Sequence, residues 1–300
     1  MSTTIDLQFQ GRAGVIATAV VPVGGGVVLI DPGPSSCLAA LERGLGALSH
    51  TLADVRAVLL THIHLDHAGA AGTIVRRVPG VPIYVHERGA THLANPEKLL
   101  ASATRLYGAA MDQLWGEFLA VPAASLRALA GGETVTLDGR RFAVAYTPGH
   151  AVHHVSYLDT GDGTAYVGDT AGIRTSPGYV LPATPPPDID LDAWEISLRA
   201  IEAWRPSRLY LTHFAEGEPP ETHLALYREA LARHADRVRT SLAEPGDDDA
   251  RIAAWVEWLR ADMRRRMPEP AAATAEWAAP FASLWQGLAR YWRKREVASA

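Results

Sequence analysis

Four short apolar runs in this 300-residue chain end alike, on a histidine or an aspartate. "VRAVLL" runs into "THIHLDH" (residues 61–67), "VAYTPG" into His150, "AYVG" into Asp169 and "LYLT" into His213. Each run is rich in β-branched or aromatic residues and reads as a short buried strand. Donors placed at the ends of stiff strands are held rigidly, as a preorganised site requires. The bland reading of "THIHLDHAG" is a His-rich surface turn. The sharp reading is a set of metal ligands, and it needs partners, because two close metals call for about seven donors and this segment offers four. His62, His64, Asp66, His67, His150, Asp169 and His213 together supply five imidazoles and two carboxylates.

The rest of the chain supports a fold of strands and helices. Residues 14–30, "GVIATAVVPVGGGVVLI", hold two β-branched runs around a glycine turn, the mark of a hairpin, and "DPGPS" stops the second run. Residues 36–48 are apolar at helical spacing, "AGAAGTIVRRV" reads as a helix and "VPIYVH" as a strand. Residues 87–130 show helical periodicity broken by Pro and Gly and no strand signal, so they read as an insertion of short helices. Strands return in "ETVTLDGRRFAVAY", with Asp138-Gly139 as a hairpin turn, and in "HHVSYLDTGDGTAYVGDT". "TSPGYVLPATPPPDID" carries too many prolines for regular structure throughout and reads as a semi-rigid loop. "LDAWEISLRAIEAW" is a helix with Trp194, Leu198 and Ile201 on one face. From about residue 219 the chain reads as helical, with Leu224, Tyr227, Leu231, Val238 and Leu242 in one stripe and five tryptophans that suit helix packing.

Composition narrows the classes. The apolar fraction of 48% is enough for a sizeable core, and the net charge of −5 gives no basic bias toward nucleic acid. The clusters Arg264–Arg266 and Arg293–Arg295 read as solvated helix faces. The single cysteine, Cys37, allows no intrachain disulfide and no Cys-rich zinc site, which fits a reducing cytosol. Neither a signal peptide nor an apolar run of membrane-spanning length is visible, so a cytoplasmic protein without membrane contact is expected.

The ordered set H-x-H-x-D-H, "TPGH", "VGDT" and "LTH", with "VVLIDPGP" ahead of it, resembles the metallo-β-lactamase fold superfamily over roughly residues 14–215. The resemblance implies a four-layer αββα sandwich, an α/β (α+β) fold with two facing mixed sheets, helices outside and the site at one edge. It further implies a catalytic domain over residues 1–218, with the helical insertion inside it, and a helical extension over 219–300. His62, His64 and His150 would bind a first metal, Asp66, His67 and His213 a second, and Asp169 would bridge them. Two divalent cations are therefore expected, zinc first, with iron or manganese also compatible with imidazole and carboxylate ligands.

What this implies for activity is a hydroxide held between the metals that attacks an ester, thioester, lactone or phosphoester in a small-molecule substrate, with Asp66 as proton acceptor. A bridging Asp169 argues against true zinc β-lactamases. The Tyr that lactonases place after the bridging Asp is missing, although Tyr179 is a candidate to reach in. The branch resembled is that of glyoxalase II and the lactonases, without a convincing match to the basic glutathione-binding residues. Two rivals remain: a mononuclear iron dioxygenase acting on persulfides, and a non-catalytic binding member of the fold. The insertion and the loop at 171–190 are expected to overhang the site with Tyr107, Trp115, Phe118 and Tyr179, and a homodimer is left open. Thr61, Thr147 and Thr212 are candidates to orient the ligands. His153 and His154 are expected in packing or solvent, and His86, which ends the strand "VPIYVH", is assigned no role.

Overall fold

A computed structural model describes residues 1–217 and 219–299, without the side chains of the last two. Two six-stranded sheets face one another. The first is formed in order by β1 (Thr3–Asp6), β2 (Ala17–Val23), β3 (Gly26–Ile30), β4 (Val55–Leu59), β5 (Ile83–His86) and β6 (Leu126–Leu129). The second contains β7 (Thr134–Leu137), β8 (Arg140–Tyr146), β9 (Val155–Asp159), β10 (Thr164–Tyr166), a separate hairpin of β11 (Ile173–Ser176) and β12 (Tyr179–Leu181) being left out of it, and then β13 (Arg208–Leu211) and β14 (Ala215–Glu216). Its spatial order is β14-β13-β10-β9-β8-β7.

Alternation along the strands builds two cores at once. Ala17, Ala19, Val21, Val28, Ile30, Ala57 and Leu59 of the first sheet meet Phe142, Val144, Val155, Tyr157, Tyr166 and Tyr210 of the second. The neighbouring positions Val20, Val27, Leu29 and Val58 point outward. They are covered by α1 (Leu38–Ala47), α2 (Leu65–Ala68) and α3 (Ala71–Arg77). Strands buried on both faces read as continuous apolar runs, which is what β3 and β4 look like in sequence. Each fully buried Leu, Ile, Val or Phe contributes about 1.5–3 kcal/mol relative to an exposed one.

The insertion holds α4 (Glu87–Ala94), α5 (Glu97–Tyr107) and α6 (Met111–Trp115), but it ends in a strand. β6 pairs in parallel with β5, Ile83 opposite Leu126 through His86 opposite Leu129, in a stretch that carries no strand signal of its own. "SLRAL" lacks β-branched residues, so its extended form comes from the open edge of β5. The Pro-rich stretch is likewise not all loop, since its first part forms the β11–β12 hairpin.

Helix α7 (Leu191–Ala203) begins at Asp190, whose carboxylate accepts from the backbone N–H groups of Asp192 (3.1 Å) and Ala193 (3.0 Å). It buries Trp194, Leu198 and Ile201. The C-terminal part is helical: α8 (Pro220–Ala243), α9 (Asp248–Arg266), α10 (Glu269–Ala278) and α11 (Phe281–Ser299). α8 packs on β12, α10 on β11, and α9 and α11 on α8. Trp255 and Trp285 are buried there, while Trp277 is exposed. Among the described residues no helix is long and apolar enough to cross a membrane.

Candidate metal centre

The chain segments after β3, β4, β8, β10 and β13 converge at one edge of the sandwich. Asp31, directly after β3, is the joint between them. It is 1% exposed, and its carboxylate accepts from Thr61 N (2.8 Å), Thr61 Oγ1 (2.7 Å) and Thr212 Oγ1 (2.8 Å) and lies 2.9 Å from His67 Nδ1. Its φ of +49° is left-handed, a conformation Asp tolerates better than most residues. Asp31 thus fixes the turn that follows β4, which carries His62 and His64, and the single turn α2, which carries Asp66 and His67.

Two donor clusters result. His64 Nδ1 lies 3.0 Å from His62 Nε2 and 2.9 Å from His150 Nε2. Asp66 Oδ2 lies 3.3 Å from His213 Nε2 and 3.7 Å from His67 Nε2. Asp169 stands between them: Oδ1 is 3.3 Å from His67 Nε2 and 3.6 Å from His213 Nε2, and Oδ2 is 3.5 Å from His150 Nε2. His62, His64 and His150, then His62, His67 and Asp169, then Asp66, His67 and His213 each form a group with ligand atoms within 4.8 Å of one another. All seven donors singled out in the sequence are therefore brought together.

The outer nitrogens are held by the fold. His150 Nδ1 meets the Ala183 carbonyl (2.8 Å), His213 Nδ1 the Val15 carbonyl (2.7 Å) and His67 Nδ1 the Asp31 carboxylate, which turns each Nε2 toward the clusters. Thr61 Oγ1 is also 3.1 Å from His62 Nδ1. Thr147 serves a different imidazole: its hydroxyl is 2.9 Å from His154 Nδ1.

The electrostatics separate the two clusters. Burial holds His62 and His150 below the usual imidazole range and His64 down at about 3, so these rings stay neutral with a lone pair to give. Burial opposes charge on His67 and His213 too, but Asp169 and Asp66 overcome it and raise both. Against the same burial, His67 and its neighbours keep Asp66 at about 2 and Asp169 well below the carboxylate range. The second cluster thus pairs carboxylates with proton-holding imidazoles, and a cation can take the place of those protons. Two atoms test the fit. His67 Nε2 and Asp169 Oδ1 are buried, face each other at 3.3 Å and make no hydrogen bond, a costly state that a shared cation relieves. The donor set and these orphaned atoms fit metal ions.

Three contributors escape a reading of the sequence. Asp31 looks like a turn residue there, and its fourfold role appears only when β3, β4 and β13 meet. His154 is fully buried against His62 (ring centroids 5.0 Å apart), bonded to Thr147 and 3.1 Å from Thr170 Oγ1. His153 lines the cavity described next. Its closeness to His150 in "GHAVHH" is the one signal that was available. His86 stacks on Tyr146 (4.5 Å, 17°) and does not join the donors.

A cavity of about 400 Å³ opens onto His64, Asp66, His150 and Asp169. Leu99, Leu106 and Tyr107 of α5, Pro185–Pro187 and the α10–α11 junction at Ala278–Pro280 form much of its wall. Three of the aromatic residues expected there lie elsewhere. Trp115 stacks on Phe9 (5.5 Å) and meets Tyr107 edge-on (5.0 Å), so it supports the wall from behind. Tyr179 is 3% exposed, and its hydroxyl donates to Asp262 Oδ2 (3.2 Å) within the C-terminal helices. The β11–β12 hairpin turns it away from the cavity. Phe118 packs, half-buried, on the N-terminal core.

The profile of the Metallo-beta-lactamase superfamily matches residues 10–213, and the chain belongs to that superfamily. The metallo-beta-lactamase fold-containing protein ST1585 of Sulfurisphaera tokodaii is 30% identical over 202 residues, 66% of this chain and 72% of that protein. A hydroxyacylglutathione hydrolase of Xanthomonas campestris pv. campestris is 29% identical over 174 residues, 57% of this chain but only 52% of its own length. Among solved structures, the metallo-beta-lactamase family protein TTHA1429 of Thermus thermophilus superposes with a TM-score of 0.67 at 22% identity, covering 99% of this chain and 93% of that one. That likeness speaks for the fold alone.

Proposed function

We propose that the chain is a hydrolase that uses two divalent metal ions to cleave a small ester or thioester. The observation that carries this is the position of Asp169, one carboxylate oxygen toward each donor cluster. Residues 1–218 are read as the catalytic domain, and 219–300 as an extension that helps to close the cavity through Ala278–Pro280. The relatives named as hydroxyacylglutathione hydrolases favour a thioester over a phosphoester.

His62, His64 and His150 would hold one ion, Asp66, His67 and His213 the other, and Asp169 would touch both. Bound there, divalent ions supply water made acidic enough to attack at neutral pH and polarise the carbonyl to be attacked. The chain's own groups do the rest. Asp31, Ala183 and Val15 orient His67, His150 and His213 through hydrogen bonds to their outer nitrogens. The apolar walls exclude water and align the acyl group over His64 and His150. Asp66 reaches both the second cluster and the cavity. Its carboxylate would take the proton that water gives up, through the oxygen not engaged in the cluster, and return it to the departing oxygen or sulfur as the acyl bond breaks. The test is thioester hydrolysis before and after chelation. Loss of activity and recovery with added divalent metal are expected, and full activity in the chelated protein would overturn the proposal.

A further inference from the structure

The cavity has a polar wall that the proposed chemistry leaves unused. Arg88 in the first turn of α4, His92 one turn on, Lys98 in the first turn of α5 and His153 all line it. Gly89 lets α4 lie close to His153: a Cβ there would come within 3.6 Å of His153 Cβ and 2.8 Å of Ile63 Cγ2. His153 is 7% exposed, and its Nδ1 has no hydrogen-bond partner among the described residues.

The two cations, Arg88 and Lys98, are exposed. Among the described residues neither Arg88 nor Lys98 forms an ion pair, and the Arg88 guanidinium only overlies the Tyr146 ring at 5.9 Å. Apart from the donors Asp66 and Asp169, the acid lining the cavity is Asp188, next to Pro185–Pro187. Leu99, Leu106 and Val152 supply apolar surface beside the cations, with Leu106 and Val152 exposed at 48% and 38%.

Resting on the hydrolase reading, we infer that the substrate is an acyl compound bearing an oxyanion, a carboxylate or a phosphate, which Arg88 and Lys98 bind while its alkyl part lies against Leu99, Leu106 and Val152. A guanidinium grips either oxyanion through paired N–H donors, and an ammonium adds a point charge. The insertion thereby selects the substrate, while the strand-end donors act on it.

The experiment uses four thioethers, which cannot be hydrolysed: S-butylpantetheine, S-(3-carboxypropyl)pantetheine and the 4′-phosphate of each. Calorimetry measures their binding to the metal-loaded protein and to an Arg88→Gln/Lys98→Gln double variant whose fold is checked by circular dichroism. The expected result is that at least one anion tightens binding tenfold or more, and that this advantage falls below about threefold in the double variant. Tightening by the carboxylate alone places the anion on the acyl side, and tightening by the phosphate alone places it on the leaving group. The inference is overturned if neither anion tightens binding more than about twofold, or if the advantage survives in the variant. Hydrolysis of the matching thioesters, assayed separately, decides the hydrolase reading independently of this result.

Discussion

Asp31 Oδ2 and His67 Nδ1 lie 2.9 Å apart across 36 residues of chain, with Asp31 1% exposed and the imidazole not exposed at all. The same oxygen accepts from Thr61 and Thr212, so one carboxylate ties the ends of β3, β4 and β13 to a candidate metal donor of the second cluster. The site is built on that joint, and the predictions below start from it.

Asp31→Asn keeps the size and tolerates the left-handed backbone, but removes the charge and one acceptor. Loss of such a partner behind a ligating imidazole costs about 10–100-fold in metal affinity. Competition with a chromophoric chelator would read this, and an unchanged affinity would show that Asp31 is only a turn residue.

Gly149, just before His150, has φ +135°, and a Cβ there would sit 2.5 Å from Trp194 Cβ and 2.6 Å from Trp194 Cα. Trp194 is itself fixed by its indole N–H, which donates to the Thr170 carbonyl at 2.7 Å. Gly149→Ala must therefore move α7 or the His150 loop. A stability loss on the order of 2–4 kcal/mol is expected from such overpacking, together with weaker metal binding. Urea unfolding and metal titration of the variant would measure the two effects.

His234 gives a pH prediction away from the metal centre. It lies edge-on to Trp255 (5.2 Å) and Trp258 (5.4 Å), neither ring nitrogen has a partner among the described residues, and burial, aided by Arg233 and Arg266, holds its pKa at about 3. The folded value lies below the unfolded one near 6.5, so stability is full above about pH 6.5 and declines as the unfolded chain takes up a proton that the folded chain refuses. By pH 5 this group alone costs about 2 kcal/mol. His234→Leu should flatten the acid side of the stability curve between pH 6 and 4. An identical slope in variant and native protein would assign the acid sensitivity to other groups.

Much of this architecture was legible because stiffness and chemistry alternate along the chain. The β-branched runs before His62, His150, Asp169 and His213 marked strands, and their shared ending marked the site. β6 was not legible, because "SLRAL" has no strand preference of its own and takes it from the edge of β5. Asp31 was hidden for a related reason: a carboxylate after a strand looks like a turn residue until Thr212, 181 positions away, donates to it. Tyr179 was misplaced because proximity to the site in sequence says nothing about which way the β11–β12 hairpin turns its side chains. His153 and His154 share one segment, yet one reaches the cavity and the other the buried threonines. A neighbouring position on an irregular segment does not fix a side chain's direction.

The most direct test of the central claim is the metal content of the purified protein by elemental analysis, with His150→Ala and His213→Ala alongside. The account predicts about two divalent ions per chain, as two-metal hydrolytic sites require, with a lower content in each variant. A single iron that survives one of the two substitutions would contradict it in favour of a mononuclear oxidoreductase. Metal-free protein that cannot be loaded would contradict the metal centre altogether.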